Sequence, residues 1–179
     1  GILLDLKMLV DEKRMPPIDR WAVQNDLFSL CVSGDEQVRN YLDFSDAYFD
    51  EDSYLASVNV AHNLASLYFR AFDEPFVEEI KSYAVNYFRK ILSNLGWEPK
   101  KSDKHTDALL RTFAIAVLGK MNDDSVTDEA IRKYKKFLKS PRSLSPDLIE
   151  TICSIAAWNG NSKTFAELKK LYTNAKTME

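Results

Sequence analysis

The chain has 179 residues, 45% hydrophobic and 28% charged, with a net charge of −3. That length supports one good core or an array of small ones, and the acidic balance excludes an electrostatic drive towards nucleic acid or an anionic membrane. No apolar run approaches the roughly 20 residues of a membrane span, and the opening GILLDLKMLVDEKR carries acids too early for a secretory signal. The expectation is a soluble, cytoplasmic chain forming a single helical domain over residues 1–179, with neither nucleic acid nor membrane as partner.

In chain order, Pro16-Pro17 precedes a first clear helix that Gly34 ends. It contains IDRWAVQNDLFSL, with Cys31 at an apolar position beside Phe28. Next comes the acidic stretch DFSDAYFDEDS, residues 43 to 53, which lacks the alternating acids, central Gly and terminal Glu of a calcium loop. Asp50, Glu51 and Asp52 are instead expected at the positive end of a helix beginning near Ser53. On that helix His62 lies among Val58, Val60, Ala61, Leu64 and Ala65, as a hydrogen-bonded helical histidine rather than a ligand.

Glu74-Pro75 opens a segment closed by Gly96, with an apolar stripe of Tyr83, Ala84, Tyr87, Phe88, Ile91 and Leu92. His105 marks a helix start as a cap or an exposed side chain, ahead of the stripe Leu109, Leu110, Phe113, Ala114, Val117 and Leu118. The run RKYKKFLK, residues 132 to 139, interleaves charge with Tyr134, Phe137 and Leu138 at core spacing, which predicts a solvated helix face. Ser145-Pro146 is expected as N-cap and first helical residue, and Gly160 as a left-handed stop, around Leu148, Ile149, Ile152, Cys153 and Ala156. A last stripe holds Phe165, Leu168, Leu171 and Tyr172.

These segments predict an all-α fold: about eight or nine helices joined by short polar turns and stacked as an irregular αα-hairpin superhelix of the HEAT or armadillo kind. Cys31 and Cys153 read as small buried thiols, and none of the ten asparagines starts a glycosylation sequon. Two histidines outside any His-Glu-x-x-His helix or Cys/His cluster cannot build a common zinc site, and no nucleophile elbow or phosphate-binding glycine loop occurs. No catalytic residue, metal ligand or cofactor is therefore assigned to the chain.

Several short patterns share one order along the sequence. Asp19-Arg20-Trp21, Asn25-Asp26-Leu27-Phe28-Ser29-Leu30 and Gly34 are followed by Tyr41-Leu42, Glu51 and Tyr54, then by Gly96-Trp97-Glu98, His105 and Leu110-Arg111. The tail adds Ala130, Phe137, Ser145-Pro146-Asp147-Leu148, Gly160, Phe165, Leu168, Tyr172 and Ala175. Together they resemble the C-terminal helical domain of aminopeptidase N-type zinc aminopeptidases, most closely the archaeal tricorn-interacting aminopeptidase factors. Family domains begin earlier and end later, so Gly1 and Glu179 are read as the ends of a fragment.

The resemblance implies a non-catalytic lid and wall of a substrate chamber, in a parent enzyme that trims N-terminal residues from oligopeptides downstream of a larger, tricorn-type protease. Zinc would then sit in a catalytic domain outside this chain. The implied partners are the other domains of the same polypeptide, oligopeptide substrates and the larger protease, with self-association of the fragment as a further expectation. A free-standing α-solenoid adaptor is the alternative.

The family-signature residues Asp19, Trp21, Asp26, Phe28, Glu51 and Tyr54 are expected to be structural: Asp19 capping or stabilising the helix start, Trp21 packing inward with Phe28. Arg20 is expected either to bond carboxylates such as Asp26 or to contact peptide. Arg111 carries the same two readings.

Overall fold

A computed structural model describes the backbone of residues 1–176 and the side chains of residues 1–174. Ala175, part of the tail pattern, lies outside the described side chains. The fold is all-α: among the described residues there are nine α-helices and no strand. They are α1 (Ile2–Asp11), α2 (Pro17–Ser33), α3 (Val38–Ser45), α4 (Tyr54–Arg70), α5 (Val77–Leu95), α6 (His105–Lys120), α7 (Asp124–Lys139), α8 (Pro146–Trp158) and α9 (Ser162–Lys176). Short 3-10 turns at Asp46–Tyr48 and Pro141–Ser143 complete the list of regular elements.

Two compact units divide the chain, Gly1–Lys90 and the residues from Ile91 onward. The dividing point falls inside α5, not in a loop. In the first unit α2 packs on both α3 and α4, and α1 on α3 and the 3-10 turn that follows it. Its core includes Val10, Leu27, Tyr41, Phe44, Tyr48, Val60, Leu64, Ile80, Tyr87 and Phe88. In the second unit each helix packs on its successor from α6 to α9, and α6 also meets α8, the nearest-neighbour pattern of stacked αα repeats. Its core includes Leu110, Ile115, Leu118, Met121, Tyr134, Phe137, Leu148, Ile152 and Ile155.

Helix boundaries follow local chemistry. Pro17 is the first residue of α2, where its fixed φ and missing N–H cost nothing. Gly34 ends that helix at φ +85°, letting the Asp35 N–H reach the Leu30 carbonyl at 2.9 Å and the Gly34 N–H reach Cys31 at 3.3 Å. At the start of α7 the buried Asp123 carboxylate accepts the Val126 N–H at 3.0 Å. Ser145 and Pro146 occupy the expected positions at the start of α8, although the Ser145 side chain makes no capping bond.

Four expectations need correction. Gly160 is not a left-handed stop: α8 ends at Trp158 with Asn159 as its C-cap, and the positive-φ glycines are Gly34 and Gly96. Gly160 is required by closeness instead, since a Cβ there would lie 2.6 Å from the Ala156 carbonyl and 2.7 Å from Thr164. Cys31 and Cys153 are half-buried, not buried, and burial pushes both thiols upward. Lys133 turns inward from the basic run, its ammonium 5.6 Å from the Trp97 ring centre and paired with Glu98 and Glu129. Finally, Leu109, Phe165 and Tyr172 are exposed although they fall on predicted apolar stripes.

Candidate functional site

Of the residues singled out in IDRWAVQNDLFSL, Arg20 reaches the segment just ahead of α4. Arg20, in the first turns of α2, is 3% exposed. Its Nε donates to Glu51 Oε2 at 2.7 Å and one terminal nitrogen donates to Glu51 Oε1 at 2.6 Å, a two-pronged guanidinium–carboxylate pair. That same nitrogen reaches Asp52 at 2.9 Å, and the other donates to the Met15 carbonyl at 2.8 Å. The hydrogen bond to Glu51 is the main reason the guanidinium is pushed further above its ordinary value.

Glu51 serves two helices at once. Its side chain is 1% exposed, and Oε1 also accepts the N–H groups of Asp52 at 2.9 Å and Ser53 at 2.7 Å, just ahead of α4. The acids of residues 50–52 thus stand at the positive end of α4, and Glu51 links that end to α2. Tyr48 adds a bond from its hydroxyl to the Arg20 carbonyl at 2.6 Å.

One turn further along α2, Gln24 is fully buried. Its carbonyl oxygen accepts from the Tyr41 hydroxyl and from Asn63 Nδ2, both at 3.0 Å, while its Nε2 donates to Asn59 and to the Trp21 carbonyl. Each amide group of Gln24 is satisfied across α2, α3 and α4, so the network fixes register at no desolvation penalty from an orphan. Burial pushes the Tyr41 phenol far upward and keeps it a neutral donor.

The second singled-out arginine forms a comparable node in the second unit. Arg111, on α6, is 1% exposed. Its Nε donates to the Gly96 carbonyl at 2.8 Å, and a terminal nitrogen donates to Leu95 at 3.3 Å and pairs with Asp103. Leu95 and Gly96 close α5, whose last carbonyls lack intrahelical donors, and Arg111 supplies them. Asp103 also accepts the Lys100 N–H at 2.8 Å. That backbone bond first, and Arg111 second, hold its carboxyl below the usual range.

Other signature residues are placed less centrally. Asp19 is not the cap of α2, which is Pro16, but it is the exposed acid of the first turn, where a negative charge favours the positive helix end. Asp26 is exposed, and Arg20 bonds Glu51 and Asp52 in its place because residues six apart on a helix occupy different faces. Trp21 and Phe28 are both half-buried, and the ring that meets Phe28 is Tyr41, edge-on at 5.3 Å. Tyr54 is the half-buried first residue of α4. His62 and His105 are exposed, and among the described residues no group of three or more His, Cys, Asp or Glu is placed to hold a metal ion.

Both nodes lie in the segments whose motif order was noted above. The sequence model of the ERAP1-like C-terminal domain matches residues 3–179. The chain belongs to that family. Among its relatives, aminopeptidase M1-A of Oryza sativa subsp. japonica is 24% identical over 147 residues, covering 80% of this chain and 17% of that protein. The puromycin-sensitive aminopeptidase of Caenorhabditis elegans is 21% identical over 164 residues, covering 90% and 17%. Tricorn protease-interacting factor F2 of Thermoplasma acidophilum is 24% identical over 128 residues, covering 72% and 16%. The chain thus spans about a sixth of the length of these relatives, the part that corresponds to the C-terminal domain.

Proposed function

We propose that this chain is the non-catalytic C-terminal helical domain of a zinc aminopeptidase, forming the lid and wall of a chamber that limits access to short peptides. The observation that carries the reading is the family match over residues 3–179, together with relatives named as aminopeptidases. A closed chamber would exclude folded proteins and bulk water while admitting unfolded oligopeptides, so the helical domain would control substrate choice at a distance from the chemistry.

In this reading zinc belongs to a catalytic portion outside these 179 residues, and the enzyme removes N-terminal residues from oligopeptides in the cytoplasm. The name of the Thermoplasma relative supports a place downstream of a tricorn-type protease. Arg20 and Arg111 act as framework residues, since their donors already bond carboxylates and carbonyls of their own units.

Titration calorimetry of the purified chain against the separately purified remainder of the enzyme tests the reading. Saturable one-to-one binding is expected. Two folded partners that fail to bind at any accessible concentration would contradict it.

A further inference from the structure

The net charge of −3 conceals a strong division along the chain. Residues 1–90 carry 9 Lys and Arg against 16 Asp and Glu, whereas residues 91–179 carry 15 against 11. Within the second unit a cavity of about 580 Å³ opens where the later turns of α7, the end of α8 and the first turns of α9 meet. Lys135, Lys139 and Lys163 line it, and Glu167 is the one acid among its lining residues. That acid accepts a bond from the Tyr134 hydroxyl at 3.4 Å.

All three lysines are exposed, and none forms an ion pair among the described residues. By contrast, Lys133 on the same helix pairs with both Glu98 and Glu129. The apolar part of the wall comes from Ile131, Leu138 and Ala156. The first N–H groups of α9 are already occupied, because Asn161 Oδ1 accepts from Lys163 and Thr164.

Three unpaired cations around an apolar wall suit a ligand that carries carboxylates and apolar groups side by side. The volume falls within the roughly 300–1,000 Å³ of organic-ligand sites, more than a lone inorganic anion fills. Lysines present point charges without the flat forks that read bases, and the one aromatic side chain in the lining, Tyr134, is buried, so no stacking platform for nucleic acid is offered.

We propose that this cavity binds an acidic peptide segment, its carboxylate side chains paired with Lys135, Lys139 and Lys163 and a neighbouring apolar side chain resting on Ile131, Leu138 and Ala156. The proposal goes beyond the aminopeptidase reading. It is tested on this chain alone, so its failure is separate from any failure to bind a catalytic portion.

The test is fluorescence-anisotropy titration with a hexapeptide of alternating Glu and Leu, blocked at both termini so that only side-chain carboxylates are charged. Its Gln counterpart and a single-stranded oligothymidylate serve as comparison probes. Two triple variants are compared with the wild type: Lys135→Gln/Lys139→Gln/Lys163→Gln, and Lys136→Gln/Lys169→Gln/Lys170→Gln, which removes equal charge from exposed lysines outside the cavity. The Glu peptide should bind saturably, with the first triple variant weakening it about 10-fold, at roughly two- to threefold per exposed pair. The second should change it by less than about twofold, the residue of long-range screening. Equal loss in both variants, equal binding of the Gln peptide, tighter binding of the oligothymidylate, or no saturable binding by about 1 mM, where binding free energy falls to a few kcal/mol, would each overturn the proposal.

Discussion

At the scale of single residues, two buried guanidinium groups tie helix ends to their neighbours. Removing one partner of a buried pair leaves an uncompensated charge, so Arg20→Ala should cost about 3–5 kcal/mol by urea denaturation. Arg20→Lys should fall between, because a point charge cannot reproduce the two-pronged bond to Glu51. Unchanged unfolding midpoints in both variants would show that the node carries no stability. Asp103 makes a pH prediction. Its folded pKa lies below the unfolded value of about 3.9, so the unfolded chain binds the proton first and the contribution is lost as pH falls below roughly 4. Asp103→Asn should therefore lower stability near neutrality and flatten its decline between about pH 5 and 3, measured by thermal melts across that window. Motif order drew attention to Arg20 and Arg111 in the sequence, but the partners were less legible: Glu51 is 31 residues from Arg20, and only folding brings them together. Gln24 was missed because a lone amide on a helix reads as solvated, although its place one turn after Arg20 put it on the same inward face.

At the scale of elements, apolar periodicity and Pro/Gly punctuation were enough to find the helices, whereas contact geometry decided the details. Gly34 and Gly96 were legible as helix stops because both need positive φ. Gly119 was not, since its reason lies on another helix: a Cβ there would lie 2.6 Å from two Ile155 side-chain carbons, so it lets α6 approach α8. Gly119→Ala should destabilise by about 1–3 kcal/mol through overpacking. Adding Ile155→Ala removes the clashing atoms, and the double variant should lose less than the sum of the singles in a denaturation cycle. Strict additivity would mean that contact with Ile155 is not what excludes a side chain at position 119. The final stripe marks the opposite failure of pattern reading. Its period is helical and α9 forms, yet Phe165 is 70% exposed and Tyr172 62%, because periodicity reports a face and not whether another element covers it.

At the scale of the whole molecule, the chain is a family domain that spans about a sixth of its relatives. Exposed Trp158, Phe165 and Tyr172 at the α8–α9 end predict weak self-association of the isolated chain. Sedimentation velocity should show a concentration-dependent dimer that Phe165→Ser with Tyr172→Ser reduces, and a monomer at every concentration would refute it. Selection of peptides by length, with the chemistry elsewhere, is the role proposed for the domain. It is tested most directly by following hydrolysis of a dipeptide and an octapeptide by the zinc-loaded catalytic portion, with and without this chain. A saturable change on adding the chain, different for the two lengths, is expected. Equal rates with and without it, from folded and associated partners, would contradict the claim.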